Sequence, residues 1–161
     1  MTVPATMFSP RSLRMPPVLA GGLLVGTLDL VFACVWWTSA ADVAPIRIFQ
    51  SIGAGVYGAT SFEGGLRTAM VGGVLHYLIA TTMAFVYTLA ATRWRGLARQ
   101  PWRWGPLYGV LLYVLMNHVV VPLSAAASPS RFNAPWVFAS IAMHMLIGVV
   151  CAHVARRATR G

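Results

Sequence analysis

Residues 65–92 read GLRTAMVGGVLHYLIATTMAFVYTLAAT and carry one formal charge, Arg67. About 20 such residues cross a hydrocarbon core about 30 Å thick. Backbone N–H and C=O groups in lipid must pair within their own segment, so the stretch reads as a helix. Three further runs have the same character: 17–40 (PVLAGGLLVGTLDLVFACVWWTSA), 105–126 (GPLYGVLLYVLMNHVVVPLSAA) and 135–155 (PWVFASIAMHMLIGVVCAHVA). The expectation is an all-α, polytopic four-helix bundle forming a single transmembrane domain over 17–157. A basic tail precedes it (1–16) and a short end follows it (158–161).

Composition agrees. Of the 161 residues 58% are hydrophobic and 9% charged, against about 25% charged in a typical soluble domain. So few charges cannot clothe a water-facing surface, and lipid takes their place. The net charge is +9, and every basic residue other than His is Arg. These Arg stand in short clusters between apolar runs, which is the pattern of topology signals rather than of a phosphate-binding face. Nucleic acid is therefore excluded as a partner; the bilayer is the partner.

Orientation follows from the same residues. Arg11 and Arg14 lie in the tail, Arg93, Arg95, Arg99 and Arg103 between the second and third runs, and Arg156, Arg157 and Arg160 at the end. The alternate side holds Arg47, Arg67 and Arg131. The positive-inside rule then puts both termini in the cytoplasm. All six Trp fall at run ends, as an interfacial aromatic belt requires. The first run exceeds the apolar core of a signal peptide and is interrupted by Asp29, so it reads as a span. Cys34 and Cys151 lie inside apolar runs and read as buried thiols.

Residues 41–64 (ADVAPIRIFQSIGAGVYGATSFEG) are too polar for a span and too apolar for a plain loop. Ile46, Phe49, Ile52 and Val56 recur at helical spacing, with Arg47, Gln50 and Ser51 elsewhere around the turn. That pattern predicts an amphipathic helix on the outer membrane surface. The glycines at 53, 55 and 58 also permit a re-entrant backbone.

The candidate site comes from depth. Asp29, His76, His118 and His144 lie roughly eleven to sixteen residues from the cytoplasmic ends of their runs, a middle layer about 7 Å thick at 1.5 Å per residue. Asp29 shares a stripe with Gly22, Gly26 and Ala33; His76 with Ala69, Gly73, Ala80 and Tyr87; His144 with Ser140, Gly148 and Cys151. Small residues mark faces where helices approach closely, so these three groups point into protein. His118 lies with Tyr108, Leu111 and Leu115, and Asn117 beside it. A charge at the bilayer centre costs at least about 2.5 kcal/mol, so Asp29 needs a partner. Imidazole donates to a carboxylate and changes charge near neutral pH. Asp29, His76, Asn117, His118 and His144 therefore form the expected proton-relay or ligand-binding set of a small transport or proton-handling protein.

Two other readings use the same residues. His76, His118 and His144 suit a transition metal, with sulfur from Met116, Met143, Met145 or Cys151, or two of the His suit a haem b. A structural or accessory subunit needs no chemistry at all, each His holding a neighbouring helix. His153 near the paired Arg reads as interfacial. Arg47, Gln50, Glu63 and Arg67 are the candidates for an outer vestibule, with Glu63 and Arg67 spaced for an i, i+4 ion pair. No phosphate loop, nucleophile elbow or paired carboxylates point to an enzyme.

LHYLIATTMAFVY, GPLYGVLLYVLMNHVVVPLS and MHMLIGVVCAHVARR together resemble the YagU-like group of bacterial inner-membrane proteins. The shared features are His76 followed by Tyr87, a Gly-rich third run ending in His118, Pro122 and Leu123, and His144 before Arg156 and Arg157. The resemblance covers roughly residues 70–157. It implies a bacterial inner-membrane location and, the group having no defined biochemistry, no particular reaction. The small-residue faces Gly22/Gly26 and Gly105/Gly109 also suit a homo-oligomer or a larger membrane complex.

Overall fold

The computed structural model describes residues 13–126 and 133–159. Residues 1–12 of the basic tail, Arg131 and Arg160 lie outside the described residues. In chain order the elements are α1 (Met15–Ala41), α2 (Pro45–Tyr57), a 3-10 turn (Gly58–Phe62), α3 (Gly65–Arg93), α4 (Arg95–Arg99), α5 (Pro101–Leu115), a π turn (Met116–Val120), α6 (Val121–Leu123) and α7 (Ala134–Ala158). Among the described residues there is no strand.

Four segments are long and apolar enough to cross a membrane: α1 with 27 residues, α3 with 29, α5 through α6 with 23, and α7 with 25. Their outer faces are oily, with Leu23, Met70, Val74, Leu107 and Phe138 all exposed. Such a surface is stable against acyl chains and unstable against water. The chain is a multi-pass membrane protein.

Proline sets the helix starts. Pro45 and Pro101 hold the first position of α2 and α5, and Pro135 the second of α7, where the missing N–H costs nothing. Asn133 caps α7 by accepting the Trp136 N–H at 3.1 Å. The third span thus begins at Pro101, four residues before the start expected from Gly105. Its end is shaped by Pro122, which lacks an N–H for the carbonyl of His118 and crowds it. The backbone there widens into the π turn.

The spans meet through small residues. Gly22 and Gly26 of α1 lie on Thr81, Tyr77 and Ala80 of α3, and Gly21 lies on Val154 of α7. Gly105 and Gly109 of α5 lie on the α7 backbone at Gly148, Val149 and His144. Both glycine faces that suited a second copy of the chain are therefore used inside it.

The two ends of the bundle differ. At one, the Arg14 N–H donates to the Ala158 carbonyl at 3.2 Å, bringing the ends of α1 and α7 together. The hydrophobic core fills this end, from Val18, Ala84 and Tyr87 to Ala98, Cys151 and Ala155. Tyr87 donates to the Leu97 carbonyl (3.0 Å), fixing α4 beneath it. Arg14, Arg93, Arg95, Arg99, Arg103, Arg156 and Arg157 belong to the segments gathered here.

At the other end α2 packs on the start of α3. The backbones touch where Phe49 and Gly53 meet Gly72 and Thr68. α2 turns part of its apolar stripe outward, as a helix lying at a membrane surface does. Ile48, Gln50, Gly53 and Ala54 are buried, while Ile46 and Val56 are exposed. The reason is polar satisfaction. Gln50 donates to the Gly65 carbonyl (3.1 Å), Ser61 to the Gln50 carbonyl (2.7 Å) and Thr68 to the Ser61 carbonyl (2.6 Å). That chain of bonds makes the inner side of α2 tolerable for a polar residue and leaves the isoleucine and valine for lipid. The far end of α2 reaches the third span, where the Ala125 N–H donates to the Gly55 carbonyl at 3.0 Å.

Candidate functional site

Between the filled core and α2 lies a cavity of about 260 Å³. Its floor is the edge of the core, Val25, Ala80, Met83 and Ile147. Ile48, Ser51 and Ile52 of α2 close part of the opposite end, and Trp37 and Trp136 flank them. Asp29, His76, Asn117, Ser140 and His144 supply its polar wall.

Helix spacing explains why three of the four expected groups converge. Asp29 follows Gly26 by three residues, so it lies near the face that touches α3. His76 Nε2 is 2.9 Å from the Gly26 carbonyl oxygen and 4.0 Å from Asp29 Oδ2. A carbonyl only accepts, so the Nε2 proton points at Gly26 and Nδ1 is the basic nitrogen of the neutral ring. His144 is arranged the other way. Its Nδ1 lies 2.8 Å from the Ser140 carbonyl, which leaves Nε2 basic. Tyr113 meets the His144 ring edge to face at 5.5 Å, and Tyr77 meets His76 likewise at 5.7 Å. Tyr77 is itself tied to Thr27 of α1 at 3.0 Å.

His118 does not join them. The cavity therefore takes three of the four expected titratable groups. The reason is direction rather than depth: Met116 and Asn117, its neighbours in the chain, line the cavity, and His118 does not. His118 is exposed on the π turn. Asn117 reaches the cavity edge while donating to the Tyr113 carbonyl (2.9 Å). Among the described residues no three of His, Cys, Asp and Glu come close enough to hold a metal ion, so the set His76, His118 and His144 is not assembled. Cys151 is buried in the core. His153 is tied to the Val149 carbonyl (2.9 Å) beside Trp102.

The four residues expected in an outer vestibule do not line the cavity. Arg47 donates to the Phe62 carbonyl (2.9 Å) and lies over the Phe62 ring, while Gln50 holds Gly65; both fasten α2. Glu63 and Arg67 do not form the expected ion pair. Gly65 has φ 57, so the chain turns left-handed between them and Glu63 precedes α3 instead of lying on it.

Sequence reasoning missed the aromatic mouth. Phe32 stacks on Trp136 at 5.7 Å with planes 14° apart, and Trp37 and Trp36 tilt against the same indole at 5.1 and 5.8 Å. Each Trp looked like an ordinary interfacial ring. Only the fold brings the end of α1 to the start of α7.

The site defines a class, a four-span helical membrane protein with a carboxylate and two imidazoles lining one cavity. No protein-family model, no curated protein and no solved structure matches the chain.

Proposed function

We propose that the chain is a small proton-handling transport protein of a bacterial inner membrane, with both termini cytoplasmic. The observation that carries this reading is the sharing of one cavity by Asp29, His76 and His144. The Arg-rich end of the bundle supports the orientation, and the resemblance to the YagU-like group supports the membrane.

Each group has a defined part. Asp29 accepts a proton on its carboxylate. His76 accepts one on Nδ1, becoming an imidazolium next to that carboxylate, and keeps its Nε2 proton on Gly26. His144 accepts one on Nε2. A cavity of about 260 Å³ has room for several waters at about 30 Å³ each; because Nε2 already donates to Gly26, exchange between Asp29 and His76 would run through such water to Nδ1. The filled core below closes the path, so passage needs the bundle to open there.

The test is proton flux into liposomes containing the purified protein and a trapped pH-sensitive dye, driven by a potassium diffusion potential. Flux above that of protein-free liposomes is expected, falling at least about tenfold in Asp29→Asn. Flux no greater than in empty liposomes, or equal flux in the variant, overturns the reading.

A further inference from the structure

We propose that the cavity binds a small organic cation, a quaternary or protonated amine carrying an apolar group. This names the substrate class of the site just described and rests on that reading for its transport role, but the binding stands on separate observations.

The first is charge. Asp29 is the one carboxylate on the cavity wall, and no Arg lines it. All twelve basic residues of a +9 chain are placed elsewhere or lie outside the described residues. With His76 and His144 in the neutral form the rest of the wall carries no charge, so the field inside is then that of a single negative charge. Anions are disfavoured there and cations favoured.

The second is the mouth. Trp37 and Trp136 line the cavity and pack on each other with ring centroids 5.1 Å apart, while Phe32 stacks on Trp136 and Trp36 tilts against it. Indole faces attract a desolvated cation, quaternary ammonium above all. A bare proton or inorganic ion has no use for this aromatic wall. The combination of one carboxylate below, indoles above and apolar walls between matches an ammonium head with an apolar substituent.

The third is size. About 260 Å³ lies just under the usual range for small-molecule sites, about 300–1,000 Å³. A single small amine fits, and a large multi-ring cation does not.

Benzyltrimethylammonium is the probe. Its binding is measured by calorimetry and by tryptophan fluorescence on the full chain in uncharged phosphatidylcholine nanodiscs. The uncharged tert-butyl analogue and benzoate serve as controls. Saturable binding of the cation is expected, with both controls at least tenfold weaker, a difference of about 1.4 kcal/mol. Asp29→Asn should lose at least tenfold, Asp29→Glu should retain binding, and Trp37→Leu should weaken it severalfold with the fold intact. Equal binding of the uncharged analogue shows an acyl-chain or lipid pocket and overturns the proposal, as does unchanged affinity in Asp29→Asn. No binding by a chain that still conducts protons in the liposome assay overturns the cation alone. Binding without proton flux overturns proton handling and leaves a cation-binding protein.

Discussion

His76 gives its Nε2 proton to the backbone of Gly26 while standing 4.0 Å from the carboxylate of Asp29. One imidazole thus ties α3 to α1 and sits beside the only acid in the spans. The bond to Gly26 is a stability feature; the approach to Asp29 is a chemical one.

The two roles separate experimentally. His76→Leu removes the interhelical bond and should cost about 0.6 kcal/mol, and at most about 1.7 kcal/mol, as such bonds do in membranes. Denaturant titration in mixed micelles reads it. Asp29→Asn keeps the packing and should change stability by less, while removing proton and cation function.

Gly109 and Gly55 should respond oppositely to alanine. A Cβ on Gly109 runs into the His144 carbonyl, a backbone atom that cannot step aside, whereas one on Gly55 meets nothing nearer than Ser124 Cβ at 3.8 Å. Gly109→Ala should destabilise by about 1–3 kcal/mol. Gly55→Ala should be neutral or stabilising by up to about 1 kcal/mol. The same unfolding titration checks both.

Gln50→Leu should loosen α2 despite adding apolar surface. It removes the Gln50 bond to the Gly65 carbonyl, which keeps only the longer one from Thr68 (3.2 Å), a loss of about 0.5–1.5 kcal/mol. Amide hydrogen exchange should rise across Pro45–Tyr57 and stay unchanged in α7.

Orientation is open to thiol labelling in a chain whose native cysteines are replaced by alanine. An impermeant maleimide should label Glu63→Cys in intact cells. Gly96→Cys, beside the Arg-rich end, should be labelled only after the membrane is opened. The reverse pattern contradicts cytoplasmic termini.

The four spans were legible because length and hydropathy alone decide what crosses a bilayer. Asp29, His76 and His144 were legible because helix rise converts residue number into depth and small residues mark the inner face. The limits are equally physical. Depth along one helix says nothing of which way a side chain faces, so His118, exposed beside the cavity-lining Asn117, does not join the other three. Periodicity gives α2 a face but not a partner, and only the fold shows Gln50 inside and bonded to Gly65. The left-handed turn at Gly65 separated Glu63 from Arg67. The meeting of Trp37 with Trp136 depends on which spans are neighbours, and no local pattern records that.

The approach of Asp29 to His76 inside the membrane is measurable directly. Solid-state NMR dipolar recoupling between a ¹³C-labelled Asp carboxyl and ¹⁵N-labelled His, on the full chain in lipid bilayers with Asp42→Asn removing the other aspartate, reports the distance. Dephasing of the carboxyl carbon that fits an Oδ2–Nε2 separation of 4.0 Å, lost in His76→Gln, is the expected result. Full-length α-helical protein showing no such coupling would mean that carboxylate and imidazole do not meet, and the polar wall of the cavity would not exist as described.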